Sequence, residues 1–305
     1  FLLEFLNSLD HLEAAGHVCF LKDSFSCESS LVVSKLISSE NFDAALAIHL
    51  YKAGRLLQGS RIPFGVIFGG TDINEDTKCE EKVRNSSFRI FSLTPVVAAG
   101  NSCHQSGIVT TPNVSFNWEK CLQSAGIPHD GNSLCYFLLI CGLRRVKDPL
   151  YLADAFAEWH REDPSVQLII IGPAVSFFPS FISRADGVHL LKEIPQEDLH
   201  AAVKKCFAVV NSSISEGMSA ALLEAMDLNV PVLARNIPGN AAIITHQETG
   251  LLYSNPEEFV QLSKSLISDP CLQRKIVARA KEYVTKHHSW EHERNAYQNF
   301  VLSLH

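Results

Sequence analysis

The sequence comprises 305 residues, which is enough for two ordinary domains that each bury a core of their own. Its 46% hydrophobic and 19% charged residues are typical of a globular protein. The net charge of −7 argues against a general affinity for nucleic acid or for an anionic membrane, although a local basic cluster around one anionic ligand stays compatible with it.

Cysteine usage and apolar runs bear on the compartment. The nine cysteines include no C-x-x-C pair, and several lie inside apolar runs, as buried thiols do. This pattern favours a reducing compartment, and we therefore expect a cytoplasmic protein. Since the sequence does not begin with Met, a location in the secretory pathway stays open. The longest purely apolar stretches, such as 136–141, are too short to cross a bilayer, so no transmembrane segment is expected.

Apolar runs of strand length alternate with segments of helical period, which is typical of βα units around parallel sheets. In the first part of the chain, strands are predicted at 17–21, 44–48, 63–68 and 108–111, and helices at 30–38 and 51–57. In the second part, strands are predicted at 134–141, 168–171, 188–191, 206–210 and 231–234, and helices at 149–160, 196–204 and 219–228.

These elements predict two domains. The first occupies 1–117, a Gly- and Pro-containing linker follows at 118–133, and the second domain occupies 134–286. The last segment, 287–305, is helical in pattern, and either packs locally or crosses back onto the first domain. Because open parallel sheets bind ligands at the carboxyl ends of their strands, chemistry is expected in the loops that follow strands.

The most informative of these loops ends in a helix that carries two glutamates. A buried strand ends near Val210, Glu216 and Gly217 follow in a polar loop, and a helix opens at Ser219 with Glu224 inside it. The free N–H groups at such a helix start can bind a phosphate, and a carboxylate can accept two hydroxyl hydrogen bonds from a sugar. Two glutamates eight residues apart are common by themselves, so the surrounding pattern has to decide.

Two further loops follow strands. The first, 142–149, carries Arg144, Arg145 and Lys147 between a strand and a helix, where cations could meet a diphosphate, although surface clusters of this kind are usually only solvated. The second, 237–240, contains Gly239 and forms another candidate anion-binding turn.

Taken together, the motifs resemble the retaining GT-B glycosyltransferases of the "glycosyl transferases group 1" class, whose members are similar to glycosyltransferase family 4. The hallmark of that class is Ser-x-x-Glu-Gly followed by Glu-Ala-Met, and it stands here from Ser213 to Met226. The resemblance covers 134–283, and more weakly 17–74. It implies an α/β protein with GT-B architecture, in which two Rossmann-like domains face a cleft, and an N-terminal domain that is incomplete.

The resemblance also implies roles for particular residues. Glu216 would contact the donor sugar, and Glu224 the ribose of the nucleotide. Gly217, Met218 and Ser219 would offer backbone donors to the sugar and phosphate. Lys147 and Arg144, with Arg145 as the reserve, would hold the pyrophosphate. The implied reaction is transfer of a hexose from a nucleoside-diphosphate sugar, a UDP- or GDP-sugar, to an acceptor hydroxyl with retention of configuration. Because the sequence has no Asp-x-Asp motif, no metal is expected.

The first domain departs from the pattern of the class. The opening strand and glycine-rich loop are missing or replaced, and residues 69–72 stand where many relatives carry a histidine. His49 is the remaining candidate for an active-site histidine, with a weaker contribution from Asp72. These departures keep a second hypothesis open, a nucleotide-sugar-binding protein with weak turnover or none. A dehydrogenase is a distant third, because no G-x-G-x-x-G opens the chain.

Overall fold

The computed structural model of the chain describes residues 9–24, 27, 29–49, 52–67, 107–127, 134–173 and 185–304. The chain forms two compact units. The first unit comprises Phe1–Gly107 together with His288–His305, and the second comprises Ile108–His287. Among the helices in the described ranges, none combines the length and the apolar character that a membrane span requires.

The first unit contains a short parallel sheet covered by the C-terminal helix. Strand β1 (Ala45–Ile48) pairs in parallel with β2 (Phe64–Ile67), and helix α1 (Ser30–Glu40) precedes them. The C-terminal helix, Trp290–Leu302, lies against β2, because a Cβ atom on Gly65 would come within 2.4 Å of the Phe300 ring. The same helix buries Glu293, whose carboxylate lies 3.0 Å from Nε2 of the buried His11.

Two predictions for the first unit were wrong in part. Residues 17–21 were predicted to form a strand, but they have no regular structure, and Val18 and Phe20 are 84% and 64% exposed. Cys19 is partly buried, but no described strand pairs with this segment, so the pattern alone does not create a strand. The helix predicted at 51–57 is only a 3₁₀ turn at Gly54–Leu57 among the described residues.

The second unit is built on a six-stranded parallel sheet. Its strands, in chain order, are β3 (Cys135–Ile140), β4 (Val166–Ile171), β5 (Val188–Leu191), β6 (Ala208–Asn211), β7 (Val232–Arg235) and β8 (Leu251–Tyr253). They lie in the order β5-β4-β3-β6-β7-β8, which is the doubly wound order of a dinucleotide-binding fold. The strands predicted from 134 onward are therefore confirmed, with ends shifted by a few residues.

Helices cover both faces of this sheet. They are α2 (Trp118–Ser124), α3 (Ala153–Glu162), α4 (Gln196–Val203), α5 (Ala220–Asp227), α6 (Pro238–Ala241), α7 (Pro256–Ser268) and α8 (Pro270–His287). Successive residues of β3 belong to two different core clusters: Tyr136 and Leu138 to one, Phe137 and Leu139 to the other. This alternation is what a strand buried on both faces requires.

The segment before β3 differs from its predicted form. Residues 118–133 were predicted to be a linker, but they include α2, which is capped by the Asn117 side chain and buries Trp118 and Leu122. Residues 108–111 were predicted to form a strand and have no strand partner among the residues that the structure describes. Instead, the Thr110 hydroxyl donates to Asp227 at 2.6 Å, and the Thr111 N–H donates to His200 Nδ1 at 3.1 Å. Side-chain hydrogen bonds thus take the place of a strand ladder.

Candidate functional site

The candidate site lies where the strand order of the second unit reverses, between β3 and β6. These strands pair directly, with Leu139 opposite Val210, so the loops that follow them emerge side by side. The β3 loop leads into a 3₁₀ turn, Arg145–Lys147, and the β6 loop leads into α5. In open α/β sheets this reversal point opens the crevice in which ligands bind.

The two loops meet through a lysine and a glutamate. Lys147 Nζ donates to both carboxylate oxygens of Glu216, at 2.6 and 2.7 Å, although the residues are 69 apart in sequence. The side chains are 20% and 7% exposed, so water screens this pair only partly. The structure therefore joins two residues that the sequence proposed from separate motifs.

Neighbouring polar groups fix the Glu216 carboxylate. Its Oε1 also accepts from the Ser213 hydroxyl at 2.7 Å and from the Asn211 amide at 3.1 Å. Asn240 in turn donates to Asn211 Oδ1 at 3.0 Å. Among the described residues, Lys147 alone bonds to Oε2. A carboxylate oxygen has two lone pairs, so Oε2 can still accept a hydrogen bond from a ligand hydroxyl.

Main-chain contacts hold the two loops together. The Ile214 N–H donates to the Val146 carbonyl at 2.9 Å, and the Ser212 hydroxyl donates to the Lys147 carbonyl at 3.1 Å. The hydroxyl of Tyr253, at the end of β8, donates to the Asn211 carbonyl at 2.8 Å. Burial raises the pKa of Tyr253 well above its usual value, so the phenol keeps the proton that it donates. The loops thus form one polar cluster.

Gly217, Met218 and Ser219 lead from Glu216 into α5. Ser219 occupies the N-cap position, but its side chain makes no capping hydrogen bond and lies 3.4 Å from the Asn211 amide. The backbone N–H groups of the first turn are therefore not satisfied by this side chain. A helix of this length with an uncapped start, next to a lysine, can accommodate an anion.

Comparison with known proteins identifies the family. The model of the family "Glycosyl transferases group 1" matches residues 132–283. Over 97% of its length, the chain is 56% identical to the Glycosyltransferase 1 domain-containing protein 1 of Xenopus tropicalis, of which the match covers 92%. The chain belongs to the group 1 glycosyltransferases. The resemblance seen in the Ser213–Met226 motif is confirmed.

Solved structures show the fold of this glycosyltransferase. A sucrose-phosphate synthase from Thermosynechococcus elongatus matches with a TM-score of 0.68 and 15% identity, over 90% of this chain and 77% of that one. Anabaena HepE, in complex with UDP-glucose, matches with a TM-score of 0.67 and 18% identity, over 89% and 82% of the two chains. At such low identity these matches show the fold alone, and they confirm the predicted GT-B class.

The second glutamate of the glycosyltransferase motif lies on α5. Glu224 Oε1 accepts from the Gln196 amide at 2.9 Å, and its Oε2 lies 3.7 Å from His200 Nε2. It makes these contacts with α4 rather than with Lys147 or Glu216. Five residues on from the N-cap, its Cα lies about 7.5 Å along the helix from that of Ser219. The motif thus places one carboxylate, that of Glu216, in the loop before α5 and the other, that of Glu224, inside the helix.

The predicted cations differ in their surroundings. Arg144 and Arg145 are exposed, and neither forms an ion pair with any residue in the described part of the glycosyltransferase. Burial raises the pKa of Cys141, at the end of β3, to about 11, whereas the charges of Lys147 and Arg144 lower it. Arg144 thus lies on the same loop as Lys147, and the positive charges of both act on the thiol that follows β3.

The first unit contains the remaining candidates. His49 follows β1, is 2% exposed and has a left-handed backbone with φ of 75°. Its N–H donates to the Ile67 carbonyl at 2.8 Å. A positive φ is uncommon outside glycine, although histidine is among the residues that adopt it more often. Asp72 and the rest of 69–72 lie outside the described residues.

Gly239 lies directly against the backbone of Glu216. A Cβ atom at position 239 would fall 2.1 Å from the Glu216 carbonyl oxygen. Gly239→Ala is therefore expected to push the Glu216 loop out of place and to lower the free energy of unfolding by about 1–3 kcal/mol, as overpacking does. Urea unfolding followed by circular dichroism measures this. Gly142→Ala is the control, because its Cβ would meet only Arg144 Nε at 3.8 Å. Equal stability of the two variants would contradict the close packing.

Sequence reasoning missed three residues of this site. Asn211 and Asn240 support Glu216, and Arg235 donates to Asp148, the residue after Lys147. The sequence does indicate Asn211, because it is a polar residue that directly ends an otherwise apolar strand. Asn240 lies in the candidate turn 237–240, although the pattern does not single out its side chain, and nothing in the sequence marks Arg235.

Proposed function

We propose that this chain transfers a hexose from a nucleoside-diphosphate sugar to an acceptor hydroxyl, with retention at the anomeric carbon and without a metal ion. Its membership of the group 1 glycosyltransferases supports transfer of a glycosyl group. The likeness to HepE, which was solved with UDP-glucose, supports a UDP-sugar as the donor, with a GDP-sugar as the alternative. The observation that carries the proposal is the Lys147–Glu216 contact at the sheet reversal.

The cations account for the leaving group. As the glycosidic bond breaks, negative charge grows on the diphosphate, and preorganised positive groups stabilise it. Lys147 carries three N–H donors, and Glu216 already holds it in place. The lysine is therefore preorganised to donate a further hydrogen bond to a phosphate oxygen. Arg144 and the uncapped start of α5 would add to the same field.

The carboxylates account for binding of the donor. Glu216 Oε2 would accept a hydroxyl of the sugar, because Oε1 is already occupied by Ser213 and Asn211. Glu224 is 17% exposed, and its Oε2 lies 3.7 Å from His200 Nε2, which is longer than a hydrogen bond, so this oxygen would accept the ribose hydroxyls. Backbone N–H groups of Gly217, Met218 and Ser219 would meet the sugar and the phosphate, while Gly239 keeps the Glu216 loop in position.

The first test is a thermal-shift panel with UDP, GDP, ADP and their common sugar conjugates. At about 100 times its dissociation constant, the correct nucleotide should add about 2.7 kcal/mol, which corresponds to a shift of roughly 5–10 °C for a unit of this size. Glu224→Ala and Lys147→Met should reduce the shift. Glu248→Gln is the matched control, because Glu248 is exposed and pairs with Arg279.

The outcomes of this panel are distinct. A shift with one nucleotide that both site variants reduce supports the donor site, and the same donor is then tested for turnover by nuclear magnetic resonance, which also reports the anomeric configuration of the product. Binding without any turnover would favour a nucleotide-sugar-binding protein instead. No shift with any nucleotide, in a sample that unfolds cooperatively, would refute the proposal.

Metal independence makes a separate prediction. EDTA should leave the initial rate of transfer unchanged, because Lys147 and Arg144 supply the positive charge for the diphosphate that a divalent ion supplies elsewhere. The measurement compares rates in EDTA and in added Mg²⁺, with the donor concentration held constant. A rate that EDTA abolishes and Mg²⁺ restores would show that the reaction needs a metal.

A further inference from the structure

The residue after Lys147 has an unusual backbone. Asp148 adopts the left-handed conformation, with φ of 43° and ψ of 53°, at the end of the 3₁₀ turn Arg145–Lys147. Residues with a Cβ atom adopt this region at a cost, and aspartate does so mainly when its side chain has a local partner. A partner for the Asp148 carboxylate would therefore stabilise this backbone and, with it, the turn that presents Lys147.

Arg235, the last residue of β7, is that partner. One guanidinium nitrogen, Nη1, donates to Asp148 Oδ2 at 3.0 Å and to the Ser212 carbonyl at 3.3 Å, while the guanidinium carbon lies 3.8 Å from the centre of the Tyr151 ring. Asp148 belongs to the β3 loop and Ser212 to the β6 loop. Arg235 therefore bonds to both loops from a third strand of the sheet.

The contacts of Arg235 stop short of the reacting groups. It bonds to Asp148, which directly follows Lys147, and to Ser212, which lies in the same loop as Glu216. Lys147 Nζ itself donates to the Glu216 carboxylate. The turn itself is held by short main-chain bonds, from the Lys147 N–H to the Arg144 carbonyl at 2.9 Å and from the Tyr151 N–H to the Asp148 carbonyl at 3.0 Å. A change in the Asp148 dihedrals would rotate this whole turn.

We propose that Arg235 is a positioning residue, which holds Asp148 in its left-handed conformation and so aims Lys147 at the leaving diphosphate. The role of Lys147 in this inference rests on the proposed function. A planar guanidinium can bond to a carboxylate and a carbonyl while it stacks on an aromatic ring, whereas a lysine ammonium cannot satisfy all three at once. Arg235 is thus suited to fix the relation between two loops.

Glycine at position 148 provides a selective test, because glycine adopts the left-handed conformation without a partner. The ligand is the nucleoside diphosphate, UDP, GDP or ADP, that the thermal-shift panel selects. Arg235→Met and Asp148→Ala should each weaken its binding by roughly tenfold, because a small displacement of a catalytic group is costly. Asp148→Gly should stay within about twofold of the parent chain. In the Asp148→Gly background, Arg235→Met should have little further effect on the dissociation constant. Isothermal titration calorimetry measures the dissociation constant of each variant.

Hydrogen exchange provides a readout without any ligand. Arg235→Met should speed exchange of the amides in the peptide 144–151, and Asp148→Gly should suppress that change. Arg279→Met is the control, because Arg279 forms an exposed pair with Glu248. If Arg235→Met weakens binding equally in both backgrounds, Arg235 acts directly and the inference is wrong. If the parent chain binds none of these nucleoside diphosphates, the proposed function fails, while exchange in the peptide 144–151 still tests whether Arg235 holds the turn.

Discussion

Lys147→Met is expected to lower kcat by roughly 10²–10³-fold, the range seen when one preorganised group that stabilises transition-state charge is removed. Methionine keeps much of the apolar stem of lysine and removes only the ammonium group. Because the leaving diphosphate carries more charge in the transition state than in the bound donor, kcat should fall by more than the donor affinity does. The change also removes the positive partner of Glu216.

The measurement is steady-state transfer with the donor that the thermal-shift panel selects, together with the unfolding temperature of each variant. Lys264→Met is the matched control, since Lys264 forms an ion pair with Glu162 in which the two side chains are 50% and 64% exposed. Such exposed pairs contribute little, so this control should keep its rate. Lys147→Arg should retain part of the activity, because it keeps the charge with a different geometry. A Lys147→Met variant with the parental kcat would remove Lys147 from the mechanism.

Much of the second unit could be predicted from the sequence, because each element carries its own local signal. The fully apolar run 168–171 favours a buried strand, and the alternation of such runs with helical periods predicts a parallel sheet. Once the strands are placed, the loops that carry Lys147 and Glu216 must emerge at the same edge. The sequence could therefore indicate both residues, although not the contact between them.

Predictions failed where structure depends on distant partners. The strand predicted at 17–21 has the composition of a strand, but none of the described residues pairs with it. The glycine and proline residues of 118–133 hid α2, whose burial of Leu122 depends on a core assembled from residues far along the chain. Likewise, Asn240 and Arg235 matter through contacts with Asn211 and Asp148, and neither contact leaves a periodic signal.

Glu216→Gln is the second change with a large expected effect, because it alters charge with almost no change in shape. The carboxylate now accepts four hydrogen bonds, two from Lys147 and one each from Ser213 and Asn211. An amide has one acceptor oxygen, and its NH₂ group would face a donor on whichever side it pointed. Lys147 would lose its charged partner, and a donor hydroxyl would lose an acceptor. We expect kcat to fall by roughly 10²-fold or more.

Because Glu216 and Lys147 act as a unit, the double variant should be little worse than either single variant. Transfer rates of the two single variants, the double variant and the parent chain complete this cycle, and Glu248→Gln serves as the exposed control. Ser213→Ala should cost much less than Glu216→Gln, since it removes one neutral donor and leaves the charge pair intact. Additive losses for Lys147 and Glu216 would show that the two side chains contribute independently, and that their 2.6 Å contact does not couple them during transfer.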